Sequence, residues 1–251
     1  MQLVWVRFKK FYYLYLLRRR EFPAVLRNHI ETCFRLDLGQ PVQEVNFVVF
    51  DTETTGLHAK RGDRILSISA VRLKHGRIDL SDTFHEIINP NRDIPSKTAV
   101  IHGILPRMVD GKPMLEEILP SFIEYIGSSI LVAHHAWLDM NFLNREMVRL
   151  YHISIQNPVL DTAILDQAFR SMKTSSSSGT AKVNSSLRAL AERYHVHSEG
   201  HHSSFGDALT TAQIFQQMLR RAQIQGIFSL RDLLRRAYQP VSFNPEEVSS
   251  M

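Results

Sequence analysis

Hydrophobic and polar positions recur with two different periods along the chain, which predicts both strands and helices. Three segments rich in β-branched and aromatic residues, each bounded by turn residues, predict a strand meander: 46–50, 64–73 and 77–88. Two shorter apolar runs, 130–133 and 159–160, predict a fourth and a fifth strand. These two alternate with helical patterns, which indicates parallel pairing. The pattern therefore predicts an α/β domain.

Apolar residues spaced three and four positions apart predict the helices that flank these strands. Pro120 lies inside one of them and is expected to interrupt or kink it. Asp161 is the expected N-cap of the helix that follows the fifth strand. The predicted helices cover 96–103, 113–126, 137–150, 161–169, 185–194, 205–222 and 230–238.

Charge divides the chain into three parts. The net charge is +5, from 30 Lys and Arg against 25 Asp and Glu, and the excess is at the two ends. Residues 1–44 are the predicted basic N-terminal arm and linker, 45–222 the main domain, and 223–251 a short helix and tail. Gly39 and Pro41 mark the linker, which predicts a loosely docked arm. Basic ends favour a polyanionic partner, although solvated helix faces give the same pattern.

The basic arm permits two interpretations. Aromatic residues interleaved with Lys9, Lys10 and the arginines at 18–20 predict an amphipathic helix, which could lie on a membrane surface, on a DNA polymerase or on another protein. The alternative, which the pattern favours, is a helix that packs on the main domain. The longest apolar run near the start is far shorter than the ~20 residues of a spanning helix. Cys33 is the single cysteine and cannot form an internal disulfide, so the expected compartment is cytoplasmic.

Two carboxylates, Asp51 and Glu53, follow the first predicted strand. Side chains alternate along a strand, so residues two positions apart lie on one face. Neighbouring anions in a partly desolvated place repel each other unless a cation neutralises them, and oxygen ligands favour Mg²⁺ or Mn²⁺. A solvated strand end without metal fits the same two residues, so the pair alone leaves both interpretations open.

The surrounding sequence resembles that of the DEDD exonucleases, the family that contains the proofreading epsilon subunit of bacterial DNA polymerase III. Three segments resemble its three motifs in the correct order: 47–57, 131–143 and 202–208. His202 and Asp207 have the spacing of the histidine subclass, DEDDh, whose members are called DnaQ-like. The resemblance implies an RNase H-like α/β fold, with a mixed five-stranded sheet flanked by helices. In this chain an N-terminal helical arm precedes that fold.

The resemblance also implies roles for individual residues. Two Mg²⁺ or Mn²⁺ ions are expected on four carboxylates: Asp51, Glu53, Asp139 and Asp207. His202 is the expected catalytic base that takes a proton from the attacking water, and His201 is disfavoured because it lies one residue too far from Asp207. The terminal nucleotide is expected to contact a further set of residues: Thr54, Thr55, Gly56, Leu57, His102 and His135.

Two positions depart from the family pattern. His135 and Leu138 stand where members commonly have asparagine and phenylalanine. Both positions lie beside the scissile nucleotide in the resemblance. These departures therefore bear on the implied contacts to its sugar or phosphate more than on the metal site.

The activity implied by the resemblance is metal-dependent 3'-5' exonucleolytic hydrolysis of single-stranded nucleic acid to nucleoside 5'-monophosphates, in DNA replication or repair. DNA is the favoured substrate, bound at its 3' end. Two alternatives remain open: an exonuclease that trims RNA 3' ends, and a non-catalytic nucleic-acid binding or interaction subunit.

Overall fold

The computed structural model describes residues 12–13, 15–171, 184–198 and 203–238 and contains one mixed sheet. Its strands are β1 (Phe47–Thr54), β2 (Ile65–Lys74), β3 (Arg77–Ile87), β4 (Ile130–Ala133) and β5 (Val159–Asp161). Their spatial order is β3, β2, β1, β4, β5. The first three strands form an antiparallel meander, and β4 and β5 run parallel to β1. The predicted mixed five-stranded α/β architecture is confirmed.

Helices cover both faces of this sheet. Within the described residues they are α1 (Ala24–Cys33), α2 (Ser96–His102), α3 (Pro106–Val109), α4 (Leu115–Ile126), α5 (Trp137–Tyr151), α6 (Thr162–Ser171), α7 (Leu187–Arg193), α8 (Ser204–Ile224) and α9 (Leu230–Ala237). A 3₁₀ turn covers Ala59–Arg61, and residues 15–19 are also helical. The sequence did not predict α3 or the 3₁₀ turn, because three or four residues are too few to show a helical period.

Side chains of β1 alternate between two separate packing layers. Val48 and Phe50 pack on the side of α1, α4 and α5. Phe47 and Val49 pack on the opposite side, against α6, α7, α8 and α9. Both faces of β1 are buried, which accounts for its continuous apolar run. The two layers place α5 and α8 on opposite faces of the same strand.

The first strand runs beyond its predicted end at residue 50 and includes both acidic residues. Asp51 pairs with Ser69 of β2 and Glu53 pairs with Ser67, and the register shifts only after Glu53. Pairing with β2 keeps this polar stretch extended although it buries little apolar surface. The two carboxylates therefore lie on a hydrogen-bonded strand and not on a free turn.

Pro120 lies within α4 and does not interrupt it. A proline inside a helix removes one backbone hydrogen bond and costs roughly 3 kcal/mol. Leu119, Phe122 and Ile123 on either side of it are fully buried in the core. Burial of this face outweighs the local penalty, so the prediction of an interrupted helix is wrong.

The described part of the N-terminal arm packs on the main domain. Leu26 and Ile30 of α1 are buried in the layer that contains α4 and α5, together with Tyr13, Leu16 and Leu17. The favoured interpretation, a helix packed on the main domain, is therefore confirmed for these residues. The expectation of loose docking is wrong. The linker composition permits flexibility, but the apolar face before it is buried against the main domain.

The linker is paired with the start of α9. The Val42 N–H donates to the Phe228 carbonyl at 2.8 Å, and the Leu230 N–H donates to the Gln40 carbonyl at 3.1 Å. The linker thus lies beside the start of α9. The divisions after residues 44 and 222 stay predictions. No helix within the described ranges has the length and apolar character needed to span a bilayer.

Candidate metal centre

Three carboxylates from two elements meet beside the end of β1. Asp51 and Glu53 share the face of β1 that α8 covers, and Asp207 lies in the first turn of α8. One carboxylate oxygen from each of the three lies within 4.8 Å of the other two. All three residues are half-buried. This spacing allows the three side chains to share one cation.

The fourth predicted ligand, Asp139, is buried in the first turn of α5 and is not one of these three mutually close carboxylates. Its Oδ1 accepts two hydrogen bonds from Thr52, one from the backbone N–H at 3.0 Å and one from the hydroxyl at 2.6 Å. Thr52 lies between the two acids of β1 and points towards α5. Both hydrogen bonds from Thr52 go to Oδ1 of Asp139, and neither involves Oδ2.

Burial and neighbouring negative charges raise the pKa values of these acids. Burial is the largest cause and raises the pKa of Glu53 to about 8 and that of Asp139 to about 7. At Asp51, burial and the charges of Asp139, Glu53 and Asp207 all raise the pKa. The hydrogen bonds from Thr52 act in the opposite direction on Asp139. Carboxylates that repel one another in this way bind either protons or a cation, so the donor set fits a divalent metal.

The start of α8 is fixed by a capping serine. The side chain of Ser203 accepts a hydrogen bond from the Gly206 N–H at 3.1 Å. Asp207 is then in the first helical turn, where a negative charge is favourable to the helix dipole. His202 and His201 lie outside the described residues, so the assignment of the catalytic base stays a prediction.

The loop after β1 contains four of the predicted nucleotide contacts. The Thr54 hydroxyl donates to the Gly56 carbonyl at 2.7 Å, and the buried Thr55 hydroxyl donates to Asp63 at 3.3 Å. A Cβ on Gly56 would lie 2.5 Å from an Asp63 oxygen, so this close approach requires glycine. Leu57 is 58% exposed. Thr55 and Gly56 therefore shape the loop, and Leu57 is left at its surface.

His102 is buried at the end of α2. Its Nδ1 accepts a hydrogen bond from the Ile104 N–H at 3.0 Å, so the proton of the neutral ring is on Nε2. That Nε2 is buried and has no hydrogen-bond partner among the described residues. Burial also lowers the pKa of His102, which keeps the ring neutral. An unused N–H donor therefore remains available for a ligand.

His135 lies in the turn between β4 and α5, with a left-handed φ of 54°. Its N–H donates to Asp161 at 3.3 Å, and the Ala136 N–H donates to the same carboxylate at 2.9 Å. Asp161 also accepts from the Ala163 N–H at 2.8 Å, which confirms the predicted N-cap of α6. Asp161 thereby also fixes the turn that leads to Asp139. This second role depends on β4 lying beside β5, and no local pattern in the sequence predicts it.

A family model described as Exonuclease, RNase_T, matches residues 48–215 of this chain. The matched range begins inside β1 and ends inside α8. It therefore contains the four predicted metal ligands and the loop after β1.

Two curated relatives are similar over most of the chain. A DNA polymerase III subunit epsilon-like protein from Rhodobacter capsulatus is 36% identical over 189 residues, which are 74% of this chain and 25% of that protein. A DNA polymerase III PolC-type protein from Caldanaerobacter subterraneus subsp. tengcongensis is 37% identical over 191 residues, which are 76% of this chain and 13% of that protein. The chain thus spans a quarter or less of the length of these relatives.

Solved structures share the fold. Exonuclease X in complex with 5' overhanging duplex DNA matches with a TM-score of 0.56 and 23% identity, over 76% of this chain and 99% of that one. E. coli Exonuclease I in complex with a dT13 oligonucleotide matches with a TM-score of 0.60 and 14% identity, over 73% of this chain and 43% of that one. The predicted RNase H-like fold is thereby confirmed.

Proposed function

The chain belongs to the exonuclease family, and on that premise we propose that it removes nucleotides from the 3' end of single-stranded DNA as nucleoside 5'-monophosphates. The observation that carries this proposal is the meeting of Asp51, Glu53 and Asp207 within 4.8 Å, inside the matched region. The direction, the preference for DNA and a role in DNA replication or repair are parts of the proposal. Relatives described as DNA polymerase III proteins support the replication setting.

The proposed ligands of two Mg²⁺ or Mn²⁺ ions are Asp51, Glu53, Asp139 and Asp207. When bound, such ions lower the pKa of the attacking water and stabilise the departing 3' oxygen. The side chains of this protein contribute the negative charge that holds the ions. Burial is the main cause of the raised pKa values of Glu53 and Asp139, and these values support this role because a bound cation stabilises the ionised form of a buried carboxylate.

His202 is the proposed base that accepts a proton from the attacking water. Its place five residues before Asp207 in the sequence supports this role, and an imidazole accepts protons readily near neutral pH. His202→Ala is expected to lower the rate by about 100-fold or more while Mn²⁺ affinity is retained. His201→Ala is the matched control, and a larger loss there would reassign the base.

The loop after β1 and two histidines are proposed to bind the terminal nucleotide. The N–H at Nε2 of His102 is an unused donor, and Leu57 presents exposed apolar surface on which a base can stack. Thr54, Thr55 and Gly56 contribute through the shape of the loop. His135 is proposed to contact the sugar or phosphate, since its turn leads directly into α5.

The basic arm is the proposed contact with a DNA polymerase, another protein or a membrane surface. Support comes from the exposed arginines at 18–20 and from the exposed rings of Tyr12 and Tyr15, because α1 is already packed on the domain. The proposed compartment is the cytoplasm. Cys33, the single cysteine, is buried and unpaired, which fits a reducing environment.

The test is a product assay on DNA and RNA strands labelled at either end, with Mg²⁺ or Mn²⁺ and with EDTA as the control. We expect 3'-labelled DNA to release its label first as a mononucleotide, and 5'-labelled DNA to shorten stepwise. Faster hydrolysis of RNA would make the protein an RNA-trimming exonuclease. Binding without metal-dependent release would make it a non-catalytic nucleic-acid binding subunit.

A further inference from the structure

Three buried serines lie under the start of α8, beside the metal centre. Ser67 and Ser69 belong to β2, Ser204 is the first residue of α8, and their exposed fractions are 1%, 0% and 3%. The hydroxyl oxygen of Ser204 lies 2.8 Å from that of Ser67 and 2.7 Å from that of Ser69. We name these three residues the serine clamp.

The serine clamp is hydrogen-bonded to an imidazole at the surface. The Ser69 hydroxyl lies 2.7 Å from Nδ1 of His85, which is exposed. When His85 is neutral and accepts at Nδ1, Ser67 donates to Ser204, Ser204 donates to Ser69 and Ser69 donates to His85. Every hydroxyl proton then has an acceptor. A buried polar network that is satisfied in this way holds its elements in one arrangement.

The serine clamp shares a face of the sheet with the metal ligands. Ser69 is the cross-strand partner of Asp51, and Ser67 is that of Glu53. Cross-strand partners project to the same side of a sheet, so these hydroxyls and carboxylates both face α8. Asp207 follows Ser204 by three residues, which places both on one side of the helix. A bond made at Ser204 therefore fixes where Asp207 lies.

A restraint at the start of α8 matters most before a cation is present, when the neighbouring carboxylates are not neutralised. One carboxylate oxygen of Asp207 lies within 4.8 Å of one from Asp51 and one from Glu53, and ionised carboxylates at this spacing repel one another. Repulsion alone would move the first turn of α8 away from β1. The two hydrogen bonds of Ser204 to β2 oppose that movement.

We propose that the serine clamp holds the start of α8 against β2 in the metal-free protein, so that Asp207 is already beside Asp51 and Glu53 when a cation binds. The inference rests on the proposed metal-dependent function. The clamp serines are positioning residues, since they act through the helix and not on the substrate. A preassembled site binds its ligand more tightly because little binding free energy is used to order it.

Two variants separate positioning from stability. Ser204→Ala removes the clamp partner of the buried Ser67 hydroxyl and one of the two partners of the Ser69 hydroxyl, so it loosens the helix and also destabilises the fold. The triple variant Ser67→Ala, Ser69→Ala, Ser204→Ala replaces all three partners with apolar groups, which is nearly neutral for stability. Ser229→Ala is the matched control, because it removes the hydroxyl that caps α9 through Asp232.

Mn²⁺ affinity, measured by calorimetric titration of the full chain, is expected to fall about tenfold in the triple variant. Amide hydrogen exchange in the first turn of α8 should become faster without metal. At saturating Mn²⁺ we expect kcat to return close to the wild-type value, with KM for DNA unchanged. Ser229→Ala should keep its Mn²⁺ affinity although it melts at a lower temperature.

Ser67→Ala and Ser69→Ala each remove one bond from Ser204, and each is expected to weaken Mn²⁺ binding by about threefold. These single variants keep the test valid if the triple variant does not fold. Unchanged Mn²⁺ affinity in an active enzyme that lacks clamp hydroxyls would overturn the clamp and leave the proposed function intact. A wild-type protein that neither binds Mn²⁺ nor hydrolyses DNA would overturn both.

Discussion

Two groups of wholly or partly buried carboxylates differ in the charge of their neighbours: those of the metal centre, and Asp166 between α6 and α7. At the metal centre, Asp51 is surrounded by further carboxylates, and burial and its neighbours all raise its pKa. Where α6 meets α7, Asp166 is almost fully buried and accepts from Arg170 at 2.8 Å and from Arg193 at 2.6 Å. Arginines compensate the charge of Asp166 in the folded protein, whereas the charge of Asp51 gains a comparable cationic partner when a cation binds.

The same contrast occurs within one helix. Glu146 of α5 is buried and pairs with Arg64 and Arg149, at 2.6 Å each. Asp139 lies two turns earlier in α5 and is held by the neutral donors of Thr52. Neutral donors orient a carboxylate without cancelling its charge. Ion pairs therefore anchor the helix at Glu146. At Asp139 the same helix presents to the metal centre a carboxyl group whose hydrogen-bond donors are neutral.

Asp51→Asn should give the largest change in hydrolysis rate. It also distinguishes an acid of the metal centre from an acid that is paired with arginine. We expect the metal-dependent hydrolysis rate to fall at least roughly 1,000-fold, because a metal ligand is lost. The free energy of unfolding of the metal-free protein should rise, since one of the repelling charges is removed. Product assays and denaturant unfolding in EDTA measure the two quantities. A folded variant that keeps more than about a tenth of the rate would contradict the metal role.

Asp166→Asn should show the reverse pattern. It leaves two arginines without their shared carboxylate, and we expect a loss of about 2–3 kcal/mol, or roughly 4–12 °C in Tm for a chain of this size. The rate at a temperature where the variant is folded should stay within about twofold of the wild type, since Asp166 lies outside the metal centre. Thermal melts and product assays on one preparation test both statements. A stable Asp166→Asn variant with a large loss of rate would contradict the view that Asp166 serves the fold and the acids of the metal centre serve the reaction.

The sequence could predict those parts of the site that depend on local geometry. Alternation along a strand places Asp51 and Glu53 on one face whatever the rest of the fold does. The bond between Thr52 and Asp139 joins residues 87 positions apart and exists only because β4 lies beside β1. The serine clamp likewise depends on α8 crossing β2. Such pairings have no local pattern that a single sequence shows.

The N-terminal arm shows the same limit in the fold. Its amphipathic pattern predicts an apolar face but does not identify the surface that covers it. In the structure, Leu26 and Ile30 are covered by the protein's own core. The linker residues Gly39 and Pro41 suggested an open connection, whereas Val42 is buried and bonded to Phe228. Tertiary packing decided both outcomes.

Thr52→Val tests whether the neutral hydroxyl donor orients Asp139. Valine keeps the β-branched shape that suits a strand but removes the hydroxyl that donates at 2.6 Å, while the backbone N–H still donates. We expect about a tenfold loss in Mn²⁺ affinity or rate, as is usual when a residue that orients a metal ligand is changed. Thr52→Ser keeps the hydroxyl and should retain most of both. Equal behaviour of the two variants would show that the hydroxyl does not orient Asp139.

The last expected effect leaves the hydrolysis rate aside and concerns the pH dependence of stability in the metal-free protein. The pKa of Glu53 is raised to about 8 and that of Asp139 to about 7, so at neutral pH the folded state binds more protons than the unfolded state. Stability contributed by these groups is complete below their unfolded pKa values, near 4, and is lost as the pH rises through the folded values. His29 and His134 have pKa values lowered to about 4 and about 3, so they affect stability only below about pH 6.5.

Between pH 7 and pH 9 we therefore expect the free energy of unfolding in EDTA to fall by about 2 kcal/mol, roughly 4–8 °C in Tm. Glu53→Gln cannot ionise at this position and should show a shallower fall, and saturating Mn²⁺ should reduce the fall in the wild type because the cation neutralises the same charges. Asp166→Asn is the matched control. It lowers the whole Tm profile but should leave its slope unchanged, because the carboxylates that titrate in this range are still present. A wild-type Tm that rises from pH 7 to pH 9 in EDTA would show that the acids of the metal centre are compensated in the folded protein, as Asp166 is.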